Sequence, residues 1–165
     1  MQVRNMARCA LLAALTALCA WLSIPVPPVR FTLQTFAIAL GLLALGGKWG
    51  MVSVGLYLLL GIVGLPVFSG FRGGVAALLD PTGGFLWGFF LGAAAYRLLE
   101  RFGKGLALGA MMGVCYLCGC LWFCRYFPEA GIGGAFLSCV VPYLVPDVLK
   151  LWLAWMLAKR LRKYV

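Results

Sequence analysis

Long runs of residues without a charge constrain this chain more than any other feature of its sequence. A transmembrane helix needs roughly 20 predominantly apolar residues, and six uncharged runs approach or exceed that length. Hydrophobic residues make up 64% of the chain and the mean hydropathy is +1.02, far above the needs of a soluble domain. The sequence therefore predicts an integral membrane protein with about six spans. The runs are Cys9 to Val29, Phe31 to Gly47, Trp49 to Phe71, Pro81 to Tyr96, Gly105 to Cys124 and Ala130 to Pro146.

The predicted fold is all-α, a compact bundle of six transmembrane helices in a single membrane domain covering residues 1–165. The 22 glycines suit close helix packing in lipid. A long outer loop separates the third and fourth helices. The predicted spans cover about residues 9–24, 35–47, 51–64, 83–99, 104–124 and 141–159.

The net charge of +10 is distributed in a way that indicates membrane topology rather than nucleic acid binding. With six spans, both termini and most of the basic residues fall on one side, which the positive-inside rule makes cytoplasmic. We therefore expect a multi-pass protein of the bacterial cytoplasmic membrane, whose amino-terminal segment is an uncleaved first span. The inner residues are Arg4, Arg8, Lys48, Arg97, Arg101, Lys104, Lys159, Arg160, Arg162 and Lys163; the outer ones are Arg30, Arg72 and Arg125.

The outer loop between the third and fourth spans reads "LPVFSGFRGGVAALLDPTGG". Its glycines and prolines interrupt any helix, yet the segment is too apolar for an ordinary solvated loop. Irregular backbone at membrane depth is tolerated only where protein buries it or where it lines a cavity. We therefore predict that this segment is a lid that dips into the outer side of the bundle.

Asp147 and Lys150 lie in the last apolar helix, where each costs about 2.5–3.5 kcal/mol near the membrane centre. A spacing of three places both side chains on one helix face. One interpretation is an intrahelical ion pair that compensates itself. The other is a binding site for a small solute with N–H donors at one end and a carboxylate at the other, and we favour this second interpretation.

The remaining residue types exclude most catalytic functions. The chain has no histidine and lacks a phosphate-binding loop, so we expect no metal, no cofactor and no ATP hydrolysis by the chain itself. Cys115, Cys118 and Cys120 allow a redox membrane protein as an alternative, although cysteine in lipid is usually a small hydrophobic residue. Small-residue rows in the first span, Ala10/Ala14 and Ala13/Ala17, fit packing within the bundle or docking to a membrane partner.

Four segments in this order resemble the BioY family, the biotin-binding substrate components of energy-coupling factor (ECF) transporters. They are "FTLQT" at 31–35, "GLPVFSG" at 64–70, "DPTGGFLWGF" at 80–89 and "VPDVLK" at 145–150. The resemblance implies six helices with both termini cytoplasmic and a loop that covers biotin near the outer face. It also implies a transmembrane coupling subunit and two ATPase subunits as partners, with Ala10 and Ala14 as the contact motif.

The resemblance assigns roles to individual residues. Asp147 would accept hydrogen bonds from the ureido N–H groups, and Lys150 would neutralise the carboxylate. Thr82, Phe85 and Phe68 would shape the pocket. Three residues depart from the family pattern: Phe71 and Arg72 occupy a glycine-rich part of the loop, and Asp80 precedes the P-T-G-G motif. Arg72 would either be a second carboxylate partner or pair with Asp80. Uptake of another vitamin-like heterocyclic acid, or a structural membrane subunit without a ligand, remains an alternative.

Overall fold

The computed structural model describes residues 2–161, which form a mostly helical chain. A two-residue antiparallel ladder joins β1, Ser23–Ile24, to β2, Phe31–Thr32, and a short 3₁₀ turn spans Pro128–Ala130. The helices are α1 Gln2–Trp21, α2 Gln34–Ile62, α3 Val75–Leu79, α4 Gly83–Leu99, α5 Lys104–Tyr126, α6 Gly131–Cys139 and α7 Val141–Leu161.

Helix α2 reverses direction at Gly46 and therefore provides two antiparallel arms, residues 34–45 and 47–62. Gly46 has φ 79° and ψ 166°, a conformation that glycine tolerates and residues with a Cβ rarely adopt. A Cβ added at Gly50 would lie 2.7 Å from the Leu42 Cα, and Gln34 Nε2 donates to Tyr57 Oη at 2.6 Å. These contacts pair residues from opposite arms in antiparallel register. The predicted all-α bundle of six helices is confirmed, with α1, the two arms, α4, α5 and α7 as its members.

Within residues 2–161, four segments are long and apolar enough to cross a membrane. They are Val3–Trp21, Gln34–Ile62, Lys104–Tyr126 and Pro128–Leu161, and the shorter apolar helix Gly83–Leu99 accompanies them. The last segment differs from expectation, since Gly131–Cys139 forms helix α6 between the predicted spans 104–124 and 141–159, where no helix was predicted. Its three glycines disfavour a helix, but Ala135 and Cys139 are buried against α5, and this packing outweighs the weak local preference.

All long connections meet at one end of the bundle. Residues 22–33, 63–82 and 127–140 form this loop end, while the turn at Gly46, the α4–α5 turn and both ends of the described chain form the opposite, termini end. Glu100 Oε2 accepts the Gly47 N–H at 2.8 Å and so fastens the α2 turn to the end of α4. Arg162 and Lys163 of the predicted inner basic cluster lie outside the described residues.

Glycines on α4 allow α5 to approach closely below the loop end. A Cβ at Gly88 would lie 2.9 Å from the Cys115 Cα, and one at Gly92 would lie 2.7 Å from the Met111 carbonyl oxygen. Any larger residue on this face would push the helices apart. The tight α4–α5 contact brings the first turns of α4 beside Tyr116, where the candidate site is built.

Candidate functional site

A cavity at the loop end gathers every residue that the sequence predicted to bind a ligand. Its empty volume, including open solvent at the mouth, is about 720 Å³. The strands and α2 supply one wall, the 65–82 segment and α4 a second, and α5 with α7 a third. The predicted residues in its lining are Asp147, Lys150, Thr82, Phe85, Phe68 and Arg72.

Asp147 accepts hydrogen bonds from three side chains and is 6% exposed. Lys150 Nζ donates to Oδ1 at 2.8 Å, and Thr35 Oγ1 donates to the same oxygen at 3.2 Å. Tyr116 Oη donates to Oδ2 at 2.6 Å. A carboxylate offers about four lone-pair positions, so about one remains open on Oδ2. Three donors from three helices therefore hold the carboxylate in one orientation within the cavity.

Lys150 is 6% exposed, and more than its ion pair with Asp147 stabilises its buried charge. Its Nζ lies 3.8 Å from the centre of the Phe31 ring, whose negative face attracts a cation. Phe31 in turn stacks on Tyr143 with ring centres 6.3 Å apart, and the Tyr143 hydroxyl shares its one proton between the carbonyl groups of Val26 and Val29. These contacts hold the first loop, residues 22–33, against α7, with the Lys150 ammonium group beneath it.

The 65–82 segment lies over the cavity, as we expected of a lid. Phe68, 1% exposed, anchors it by packing edge-on against Tyr57 and over Gly61, where a Cβ would overlap its ring. Trp21 Nε1 donates to the Pro66 carbonyl at 2.7 Å on one side. On the other side, Trp122 Nε1 donates to the Asp80 carbonyl at 3.1 Å. The lid contains one short helix, α3, which the sequence did not predict.

Thr82 and Phe85 lie at the first turn of α4, where the lid joins the bundle. No hydrogen bond of the Thr82 hydroxyl is present within residues 2–161, so this group is available to a ligand. The Phe85 ring packs against Gly119 of α5, which has no side chain to displace it. Arg72 lines the same cavity and pairs with Asp80, and its Nε donates to the Ser69 carbonyl at 3.2 Å.

Several cavity residues were not assigned by the sequence. Thr35 and its neighbour Gln34 lie inside the motif "FTLQT", one of the four segments that resemble the family. Tyr116 lies in the window that drew attention only for its cysteines. A polar side chain inside a membrane span is itself an unusual feature, and that signal points to both Thr35 and Tyr116.

The two small-residue rows of α1 face in different directions. Ala13 and Ala17 are buried in the core, with 1% and 7% of their surface exposed. Ala10 and Ala14 are exposed on the surface of the bundle. The first row therefore packs within the protein, and the second row is accessible to a neighbour in the membrane.

The cysteines are free thiols, and most are buried among apolar residues. Cys115 Sγ donates a weak hydrogen bond to the Phe85 carbonyl at 3.8 Å. No group of three or more histidine, cysteine or acidic residues that could hold a metal ion occurs between residues 2 and 161. Across residues 2–161, no arrangement of the cysteines favours the redox alternative.

Comparisons with known proteins agree with this architecture. The BioY family model matches residues 1–165. A Thermotoga maritima protein named biotin transporter BioY is 42% identical over 166 residues, covering 98% of this chain and 97% of the relative. A Pyrococcus horikoshii protein named probable biotin transporter BioY is 40% identical over 164 residues and covers 98% of both chains.

A solved structure shares the fold. The crystal structure of the S-component for biotin from an ECF-type ABC transporter superimposes with a TM-score of 0.87 at 26% identity, covering 98% of this chain and 92% of that one. Together with the apolar helices, these transporter relatives indicate a multi-pass membrane protein with a transport role. Because the family model and both relatives match nearly the whole chain, the protein belongs to the BioY family.

Proposed function

We propose that this protein binds biotin at the outer face of the bacterial cytoplasmic membrane and serves as the substrate-binding component of an ATP-driven ECF transporter. The buried Asp147–Lys150 pair in the loop-end cavity carries this proposal. Such a pair presents a hydrogen-bond acceptor and a cation on one wall. Biotin carries ureido N–H groups and a carboxylate, and the relatives' names identify biotin as their own ligand.

In our proposal, the open position on Asp147 Oδ2 accepts a ureido N–H group. A second N–H bond requires Thr35 or Tyr116 to give up its place on the carboxylate, which their hydroxyl groups do by rotating. Tyr116 is suited to this exchange because its oxygen can also accept a hydrogen bond. Asp147 therefore recognises the ureido ring together with these two hydroxyl groups.

Lys150 uses one of its three N–H donors on Asp147, and two remain for the ligand's carboxylate. The Phe31 ring, 3.8 Å from Nζ, also holds the ammonium group in place. Thr82 offers a further hydroxyl group, while Phe85 and Phe68 provide apolar walls for the ligand's hydrocarbon part. Arg72 becomes a second partner of the ligand's carboxylate when its guanidinium group leaves Asp80 and pairs with the ligand.

We further propose that both termini are cytoplasmic and that ATP is hydrolysed only by two partner ATPase subunits. The concentration of basic residues at the termini end supports the orientation. Ala10 and Ala14 provide a flat, exposed row for the coupling subunit. Ala10→Leu and Ala14→Leu should block biotin uptake in cells while the purified protein still binds biotin. Loss of binding as well would contradict a role confined to partner contact.

Titration of the purified protein with biotin tests the binding role. Asp147→Asn and Lys150→Ala should each weaken biotin by about 10²-fold or more, because each removes a charged hydrogen-bonding group inside the cavity. Lys150→Ala should weaken the binding of a biotin amide less than the binding of biotin, because the amide has no carboxylate to pair with Lys150. Unchanged biotin affinity in both variants would refute the roles assigned to Asp147 and Lys150. If another heterocyclic acid binds more tightly than biotin, that acid is the substrate instead.

A further inference from the structure

A second cavity adjoins the biotin cavity at the loop end. We call it the outer chamber; it has an empty volume of about 630 Å³ and is lined by Pro28, Arg30, Arg72, Asp80, Pro81, Thr82, Phe123 and Phe127. Three of these residues, Arg30, Arg72 and Thr82, also line the biotin cavity. The two cavities therefore share a boundary at Arg30, Arg72 and Thr82.

The outer chamber carries an excess of positive charge. Arg72 is neutralised by Asp80, the acidic residue of the chamber. Arg30 is exposed and has no hydrogen bond or ion pair to any residue from 2 to 161. The chamber's other walls are proline and phenylalanine side chains, with the Phe123 and Phe127 rings 4.7 Å apart. Such low-dielectric walls strengthen the field of a cation inside a cleft.

The Arg30 side chain has a defined place over the tip of the lid. Gly70 adopts φ 73°, and a Cβ added there would lie 2.8 Å from Arg30 Nη1. The guanidinium group therefore lies against the bare backbone of Gly70, at the boundary between the two cavities. A ligand that enters through the outer chamber therefore reaches the Arg30 guanidinium group before it reaches the buried Lys150.

We propose that the outer chamber is a first capture site for the carboxylate of the incoming ligand, with Arg30 as the residue that attracts it. The proposal rests on the proposed binding of biotin and adds a site that the ligand visits before the cavity. The carboxylate first pairs with Arg30 and then passes Thr82 and Arg72 to reach Lys150. Arg30 is in this scheme a steering residue that accelerates binding without holding the bound ligand.

Stopped-flow tryptophan fluorescence on the purified protein tests this scheme, since Trp21 and Trp122 contact the lid. Arg30→Gln should lower the association rate constant of biotin about threefold at low salt, because a unit charge roughly 7 Å away in water is worth about one RT. The dissociation rate constant should not change. The difference should shrink between about 20 and about 200 mM salt, as expected for a charge at the rim of a site.

Arg125→Gln is the matched control, because Arg125 is exposed at the same end of the bundle but lines neither cavity. It removes the same charge and should leave association nearly unchanged, and Arg30→Lys should restore the wild-type rate. A neutral biotin amide should associate equally fast with wild type and Arg30→Gln. Equal slowing by both arginine variants, or an effect confined to dissociation, would overturn the capture site while leaving biotin binding intact. A wild-type protein that does not bind biotin would instead refute the proposed function itself.

Discussion

Replacing Lys150 by methionine should destabilise the protein, because the Asp147 carboxylate then stays buried without its counter-charge. Both residues are 6% exposed, and Nζ lies 2.8 Å from Oδ1. Unit charges at this separation attract by about 6 kcal/mol at an effective dielectric constant of about 20. The hydroxyl groups of Thr35 and Tyr116 still donate to the carboxylate, so we expect a loss near the lower end of about 3–5 kcal/mol.

A double variant separates the structural role of the pair from its role in binding. Asp147→Asn combined with Lys150→Met removes both charges and nearly preserves the side-chain volumes. One of the hydroxyl groups of Thr35 and Tyr116 can still donate to the new amide oxygen, and the other can rotate to accept a hydrogen bond from the amide NH2. We therefore expect stability within about 1 kcal/mol of wild type, together with biotin binding weakened by about 10²-fold or more.

Denaturant unfolding in detergent and biotin titration on the same four proteins provide the measurements. Lys159→Met is the matched control, since Lys159 lies on the same helix but is exposed at the termini end. It should change neither stability nor binding. A double variant no more stable than Lys150→Met would refute the electrostatic reasoning. A double variant that binds biotin like wild type would show that the pair serves the fold alone.

Three further changes test packing and the lid. Gly50→Ala should destabilise by about 1–3 kcal/mol in a thermal unfolding series, because its Cβ would lie 2.7 Å from the Leu42 backbone, whereas Gly109→Ala meets open space and should not. Phe31→Leu should weaken biotin roughly 5- to 30-fold in a binding titration by removing about 1–2 kcal/mol of cation–π attraction from the buried ammonium group. Trp122→Phe should speed biotin dissociation roughly fivefold in a displacement assay, because the lid loses one of its hydrogen bonds.

Much of the fold could be predicted because hydrophobic length is a direct requirement of the membrane. The first five uncharged runs correspond to α1, the two arms that join at Gly46, α4 and α5, whereas the sixth run covers α6 and only the start of α7. Helix α6 could not be predicted in the same way, because Gly131, Gly133 and Gly134 give it a poor local preference for helix. Its stability comes from Ala135 and Cys139 packing on α5, a contact that depends on the assembled bundle.

The candidate site could be predicted in part. Charged residues in an apolar helix are visible in the sequence, which is why Asp147 and Lys150 stood out. Their partners were not visible, since Thr35 lies 112 positions from Asp147 and Tyr116 lies 31 positions away. Only the crossing of α2 and α5 with α7 brings these hydroxyl groups to the carboxylate, and no local pattern encodes that crossing.

The short first arm of α2 explains why a polar site lies within the membrane at all. Thr35 precedes the turn at Gly46 by 11 residues, so it lies roughly 17 Å above the termini end. Asp147 precedes Lys159 by 12 residues on α7 and reaches a similar height of about 18 Å. In an apolar layer of about 30 Å, both residues lie some 12 Å below the loop-end surface. The chain between α1 and the first arm must then cross this depth without forming a helix. Such backbone is tolerated at membrane depth where protein buries it or where it lines a cavity, and Val29, Arg30 and Thr32 of this segment line the loop-end cavity.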